Sequence, residues 1–306
     1  MKTRPNDASS GAALTTLAPD SGKSKVLISA AGGKVGQHVL AQLAQKNFAA
    51  RAGVHSEDKA AALRKSGIEA VVLDFENPAS ISAALTGIDK LFLVTPGSPD
   101  QGRFDESLLA EAKKAGVKHV VKMSGKIAEG ETVGFSVWNR AAEKRLAESG
   151  IPYTILRGNY FMQNLFDVAA QIKQGAFTAG PAAKRIALVD TRDVAAAAVA
   201  ALTEEGHAGK TYDLNGPELL DGYAQAAAFS KVLGRTVNYL DVTAEAVIGQ
   251  LKHFGLPLWL VEALGVAVAS PVIPGDQSGA TIERILHRKP GTLEQFVRDY
   301  RSEFQG

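Results

Sequence analysis

The sequence predicts a doubly wound α/β fold: a parallel Rossmann sheet covered by helices on both faces, with a smaller lobe in its second half. Three observations point there. From Lys25 onward, short apolar runs alternate with amphipathic stretches at the spacing of βα units of roughly 20 to 30 residues. The apolar runs are nearly continuous, which suits strands buried on both faces. A glycine-rich turn stands directly between the first strand and the first helix.

The runs place strands at 26–29, 49–54, 70–73, 90–95, 119–123 and 153–156. Between them, Val39, Leu40 and Leu43, then Leu108, Leu109 and Ala112, then Ala142, Leu146 and Ala147 recur at helical spacing. These units assign 25–157 to a dinucleotide-binding domain. After Arg157 the rhythm weakens among Gly175, Gly180, Pro181, Gly216 and Pro217, so 158–306 is expected to form a substrate lobe. Within it, a stretch of about 186–215 is expected to return to the core. It contains an alanine-rich helix opened by Asp193-Val194-Ala195 and running through Leu202, then a strand at 210–214. Thr292-Leu293-Glu294-Gln295 follows Pro290-Gly291 with capping-box spacing. Phe296, Val297, Tyr300 and Phe304 then share one face, so a packed terminal helix is expected. Residues 1–24, rich in Ser, Gly, Pro, Asn, Asp and Lys, read as a mobile tail. The apolar stretch 256–273 is interrupted by Pro257, Glu262 and Pro271, and so reads as a buried helix or pocket wall and not a membrane span.

Composition narrows the functional classes. The chain has 306 residues, 45 % hydrophobic and 22 % charged, enough for one or two packed cores. Its 34 basic and 32 acidic residues are intermixed, leaving a formal charge of +2 and no broad positive field for nucleic acid. It has no cysteine, which removes disulfides, thiolate metal sites and cysteine nucleophiles and makes a cytoplasmic location the default. The histidines, His38, His55, His119, His207, His253 and His287, lack ligand spacing, so no metal is expected. Gly-Xaa-Ser-Xaa-Gly is also absent, and hydrolase chemistry has no support. His287-Arg288-Lys289 reads as a solvated turn, with an anion site as the alternative.

The strongest chemical signal is the run from Lys25 to Leu40, in which a strand enters Ala30-Ala31-Gly32-Gly33-Lys34-Val35-Gly36 and a helix begins. Glycines let the backbone approach a pyrophosphate, and a helix N-terminus offers it amides and a positive dipole end. Ala30 stands where the first glycine is usual; the alternative is a plain strand-to-helix turn. Cofactor choice is read at the end of the second strand, where an acidic residue favours a ribose 2′-hydroxyl and a basic one a 2′-phosphate. There the chain has His55 and Lys59, with Lys34 in the loop, so NADP(H) is expected over NAD(H), although Glu57 and Asp58 lie close by.

Gly33-Lys34-Val35-Gly36, the run Gly116 to Ser124, the run Glu143 to Arg157 and Phe161-Met162-Gln163-Asn164, in this order, resemble the NmrA-like branch of atypical short-chain dehydrogenase/reductases. Arg192-Asp193-Val194-Ala195 and Phe296-Val297-Arg298-Asp299-Tyr300 are similar to family segments too. The resemblance implies NAD(P) binding and one of several activities: quinone reduction, triphenylmethane dye reduction, related hydride transfers, or redox sensing without chemistry. By position it implies Ala30, Gly32, Gly33, Lys34, Val35 and Gly36 for the pyrophosphate and His55 and Lys59 for the 2′-phosphate. It implies Asp74 and Phe75 for the adenine, Thr95 and Pro96 for the middle of the cofactor, and Asn159, Tyr160 and Phe161 beside the nicotinamide. Two positions depart from the pattern: Asn139 stands where several relatives carry His or Lys, and Gly158 where a proline is common.

Members of the classical kind place Tyr and Lys four residues apart on one helix face, where the ammonium readies the phenol as a proton donor. None of the six tyrosines has Lys four residues later. A simple ketone needs such a donor, whereas a quinone, an iminium-like dye or another extended acceptor spreads the incoming charge and takes its proton from water. The expectation is therefore a reductase of conjugated small molecules. Ser124, Asn139 and Lys126, expected near the nicotinamide, are its candidate catalytic groups, with Ser124 and Asn139 donating hydrogen bonds to a developing oxyanion and counted among the cofactor-binding residues as well. Ser124 as a strand-end cap and Asn139 as a ribose contact or solvent-facing residue stay open. Trp138, Tyr160, Phe161, Phe254 and Trp259 are either an aromatic pocket or core. A cofactor-sensing regulator remains the alternative, a nucleotide-sugar epimerase is disfavoured by the missing pair, and a homodimer is left open.

Overall fold

In the first strand, β1 (Val26–Ile28), Val26 and Ile28 face one side of the sheet and Leu27 the other, and all three are fully buried. That alternation sets the layers of the structure, a computed structural model that describes residues 24–126, 132–270 and 278–306. Apart from Ser24, the expected tail lies outside the described residues. In chain order come α1 (Gly36–Gln45), β2 (Ala50–Val54), α2 (Glu57–Lys65), β3 (Ala70–Val72), α3 (Pro78–Leu85), β4 (Lys90–Leu93), α4 (Gln101–Lys114), β5 (His119–Gly125), α5 (Phe135–Glu148) and β6 (Tyr153–Gly158). The second half adds a 3₁₀ helix (Met162–Val168), α6 (Ala169–Lys173), β7 (Ala176–Phe177), α7 (Thr191–Thr203), β8 (Lys210–Leu214), α8 (Gly222–Leu233), β9 (Asn238–Tyr239), α9 (Ala244–His253), α10 (Leu258–Ala269), α11 (Ala280–Leu286), α12 (Leu293–Asp299) and α13 (Arg301–Phe304).

The main sheet has seven parallel strands in the order β3-β2-β1-β4-β5-β6-β8, the doubly wound arrangement. One face is covered by α1, α2, α7 and α11 and the other by α3, α4 and α5. Helix α7 lies against α1, and its small side chains, Ala195, Ala197, Ala198, Ala200 and Ala201, are buried there. A third core gathers Met162, Leu165, Phe177, Phe229, Phe296 and Phe304 beneath the two-stranded sheet of β7 and β9.

The structure departs from the sequence expectations at several elements; β4, for one, stops at Leu93, two residues short. Strands β5 and β6 each run two residues further, to Gly125 and Gly158, which brings Ser124 and Arg157 into register. Helix α7 begins at Thr191 with Asp190 as its cap, Oδ1 accepting from the Arg192 amide at 2.8 Å. Asp193 instead accepts from the Gly291 amide at 2.7 Å and pairs with Arg288 at 2.6 Å. At α12, Thr292 accepts from the Gln295 amide, but the Gln295 side chain turns forward to Asp299, so the expected box is half made. Helix α10 is not a buried helix: only Val261, Ala263 and Gly265 are enclosed, while Leu258 is 65 % exposed. Its neighbour α9 has no buried residue, and α10 meets the start of α5 through Trp259 and Trp138. Among the described residues no helix is long and apolar enough to cross a membrane.

Candidate cofactor cleft and active edge

Strand order reverses between β1 and β4, and in open α/β sheets ligands bind in the crevice beyond that point. A cleft of about 640 Å³ lies there. Asp74 and Phe75 line one end, Ala30, Gly32 and Gly33 the middle, His55 and Lys59 the rim past β2, and Thr95 and Pro96 the far end past β4. Phe104, Glu76 and Ser29 also line it. Ser29 joins the strand ends: its hydroxyl donates to the Val94 carbonyl at 2.7 Å and accepts from the Val94 amide at 2.8 Å.

The turn glycines differ in what they do. A Cβ on Gly36 would collide with the Ala30 carbonyl oxygen, so that glycine allows β1 and α1 to pack. A Cβ on Gly32 would meet nothing within 4 Å, which leaves its backbone open to the cleft. Helix α1 has neither a side-chain cap nor an acidic residue in its first turn, so no carboxylate offsets the positive end of its dipole, although the amides of Gln37, His38 and Val39 already donate to the Gly33 and Val35 carbonyls. An open glycine backbone, an uncapped helix and an elongated cleft suit a dinucleotide pyrophosphate. Val35 and Gly36 are buried and form the turn, not its lining. Lys34 turns away from the expected phosphate position, its Nζ donating to Asn164 Oδ1 at 2.6 Å with Asp167 at 3.8 Å. At the rim, His55 and Lys59 are exposed, while Glu57 is engaged by Arg64 and Glu76 by Arg103.

Beyond β4 the sheet edge is built from buried polar groups. Thr95 Oγ1 donates to Asp105 Oδ1 at 2.8 Å, and Asp105 forms a fully buried ion pair with Lys122 at 3.0 Å. Ser124, Arg157 and Asp213 form a cross-strand row on β5, β6 and β8. Ser124 Oγ donates to Glu143 Oε1 at 2.7 Å, so its proton points into α5, not outward as expected for an oxyanion donor. The Glu143 carboxylate grips Arg157 through Nε at 2.9 Å and Nη2 at 2.5 Å, which raises the guanidinium's pKa above its ordinary value. Lys126 pairs with Asp213 at 3.4 Å. One turn before Glu143, Asn139 Oδ1 accepts from Gln101 at 3.1 Å, and its amide nitrogen lies over Gly125.

Asn159 is bound within the protein, donating to Asn215 Oδ1 at 2.8 Å and accepting from the Tyr160 amide at 2.7 Å. Phe161 and Met123 crowd Gly158 so closely that a Cβ there would meet both. The five aromatics do not form one pocket. Trp138 and Trp259 meet edge to face at 5.7 Å, with Phe135 added at 5.3 Å, while Phe254 is 75 % exposed. The sequence reading missed Ser29, Gln101, Asp105, Lys122, Glu143 and Arg157 as parts of this edge. Their signal was a charged or polar residue on an otherwise apolar strand or helix face. Among the described residues no group of three His, Asp or Glu side chains is placed to hold a metal.

This fold, with its cleft at the switch point of a doubly wound sheet, is that of the Rossmann-like α/β proteins. The chain belongs to the NmrA-like family, whose model matches residues 22–297. It is 32 % identical to an NAD(P)H azoreductase of Xenophilus azovorans over 91 % of this chain and 99 % of that one. It is 32 % identical to quinone oxidoreductase 2 of Escherichia coli over 78 % and 85 %. Among solved structures, an NADPH-dependent quinone oxidoreductase from Escherichia coli complexed with NADPH superposes with a TM-score of 0.79 at 29 % identity, covering 90 % of this chain and 99 % of that one. A negative transcriptional regulator in complex with NADP shares the fold, with a TM-score of 0.73 at 18 % identity over 90 % and 94 %. The chain is thus an NAD(P)H-dependent oxidoreductase.

Proposed function

We propose that this oxidoreductase reduces a planar conjugated small molecule, such as a quinone or an azo compound, with NADPH preferred to NADH. The observation that carries the acceptor class is the face of α5, where Asn139 and Glu143 stand four residues apart, the spacing at which a Tyr-Lys pair would deliver a proton. Asn139 is an amide tied to Gln101, and Glu143 is a carboxylate tied to Ser124 and Arg157. Neither readies a phenol. An acceptor that delocalises the arriving charge has no need of one, and the relatives' names, azoreductase and quinone oxidoreductase, agree.

When bound, the reduced cofactor supplies hydride; the protein binds and orients. In this reading 25–157 hold the cofactor and 158–306 the acceptor. Gly32, Gly33 and the start of α1 take the pyrophosphate, Asp74 and Phe75 the adenine, and Thr95 and Pro96 the middle. His55 and Lys59 take the 2′-phosphate: both are exposed at the cleft, and of the carboxylates about them Glu57 and Glu76 are engaged by arginines. Asn139, Asn159, Tyr160 and Phe161 border the nicotinamide end. Lys126, paired with Asp213, offsets negative charge on the reduced acceptor.

NADPH oxidation measured against a quinone, an azo dye and a simple ketone tests the reading, with turnover expected for the first two alone. Tight NADPH binding with no turnover of any acceptor would overturn it and favour the cofactor-sensing regulator. For the cofactor preference, His55→Asp with Lys59→Ala is expected to weaken NADPH binding by at least tenfold and NADH binding little, since each charge-assisted bond to the phosphate is worth about 1.5–3 kcal/mol. An unchanged NADPH/NADH ratio would remove the assignment.

A further inference from the structure

A serine hydroxyl has one proton to give and two lone pairs to offer. In Ser124 the proton is committed. It goes to Glu143 Oε1 at 2.7 Å, in a place where Ser124 is 4 % and Glu143 7 % exposed. Arg157 holds both oxygens of Glu143, Nε and Nη2 facing Oε1 and Oε2. Turning the Ser124 proton outward would take a charge-assisted donor from a buried carboxylate oxygen, a costly loss. Ser124 therefore has only lone pairs left to offer a ligand.

The place of those lone pairs follows from the register. Leu93 on β4 is paired with Lys122 on β5, the last pair of that ladder; Ser124 lies two residues further along β5, as Thr95 of the cleft lies two residues past Leu93. A dinucleotide with its adenine at Phe75 and its pyrophosphate at Gly32 extends its second base toward β5. That base is nicotinamide, whose carboxamide NH2 is a hydrogen-bond donor.

We propose that Ser124 accepts a hydrogen bond from the nicotinamide carboxamide, and that Glu143 is a positioning residue that, with Arg157, fixes the hydroxyl as an acceptor. This rests on the nicotinamide cofactor and not on the identity of the reduced substrate.

The test compares dissociation constants, by fluorescence titration without any acceptor, for NADPH and for its reduced 3-acetylpyridine analogue, which keeps the carbonyl but has no N–H. Wild type is expected to bind the analogue roughly three- to tenfold more weakly, the worth of one neutral hydrogen bond. Ser124→Ala is expected to lose that discrimination by weakening NADPH alone, and Ser124→Thr to retain it. In Glu143→Gln, Arg157 claims the amide oxygen and the amide NH2 faces Ser124, turning the hydroxyl proton outward. Discrimination is expected to vanish there although Ser124 is present. Should Glu143→Gln fail to fold, the Ala and Thr variants decide alone. Equal binding of the two cofactors by wild type, or the same ratio in wild type and Ser124→Ala, would overturn the proposal. Because the readout is binding, its failure is distinct from a failure of the acceptor screen.

Discussion

Two glycines four residues apart in one turn carry different physical duties. Gly36 is where β1 and α1 come closest, and Gly36→Ala is expected to destabilise the fold by about 1–3 kcal/mol or more, because the Ala30 carbonyl is backbone and cannot step aside. Gly32 faces open space, so Gly32→Ala is expected to change stability by no more than about 0.5 kcal/mol while weakening cofactor binding. Thermal unfolding and cofactor titration of both variants separate the two duties. A Gly32→Ala protein that binds cofactor like wild type would show that this backbone is not approached. The glycines were legible in the sequence as a group; the division between them needed the distance from each to Ala30.

At the scale of elements, the ion pair of Asp105 on α4 with Lys122 on β5 joins a helix to a strand, and through Thr95 it reaches the end of β4. Both charged side chains are fully buried, so each is tolerable only with the other. Lys122→Met is expected to cost about 3–5 kcal/mol by leaving a buried carboxylate without its cation. Adding Asp105→Leu to it is expected to recover most of that loss. Urea unfolding of the two single variants and the double variant gives the coupling, and strictly additive losses would contradict it. The pair was hidden in the sequence because α4 and β5 were each recognised by their apolar residues, Leu108, Leu109 and Ala112 on one, Val120 and Val121 on the other. A periodicity marks which face is buried without marking which polar residue on that face has found a partner.

For the whole molecule, His119 links stability to pH. Thr154 gives its hydroxyl proton to the His207 carbonyl at 2.8 Å, so the 3.0 Å contact with His119 Nε2 is a donation from the ring. Burial foremost, with Lys90 and His207 adding to it, lowers the ring's pKa from 6.5 to about 4. The folded chain thus keeps His119 neutral where the unfolded chain takes up a proton. Its contribution is fully present above pH 6.5, is lost as pH falls from 6.5 toward 4, and changes no further below that. The loss is at most about 3 kcal/mol and smaller where water reaches the ring. Denaturant unfolding at pH 7 and pH 5 is expected to show a smaller loss for His119→Gln than for wild type; equal losses would assign the acid sensitivity elsewhere.

The sheet, the glycine turn and the missing Tyr-Lys pair were determined by the sequence alone, because each is a local pattern. Val26 to Ile28 entering Gly32 and Gly33, or six tyrosines without Lys four residues on, depends only on neighbours in the chain. What tertiary structure decided was direction and partnership. Lys34 belongs to the phosphate turn by sequence, yet it reaches 130 residues along the chain to Asn164. Helix α10 is apolar enough to be core, yet among the described residues its outer face, with Leu258 and Trp259, is left exposed. Ser124 reads as a donor until β5 and β6 come into register and α5 lays Glu143 across both. A hydrogen bond's polarity depends on the second group as much as on the first, and in this edge the second group comes from another strand or helix, brought near only by the sheet order β4-β5-β6-β8.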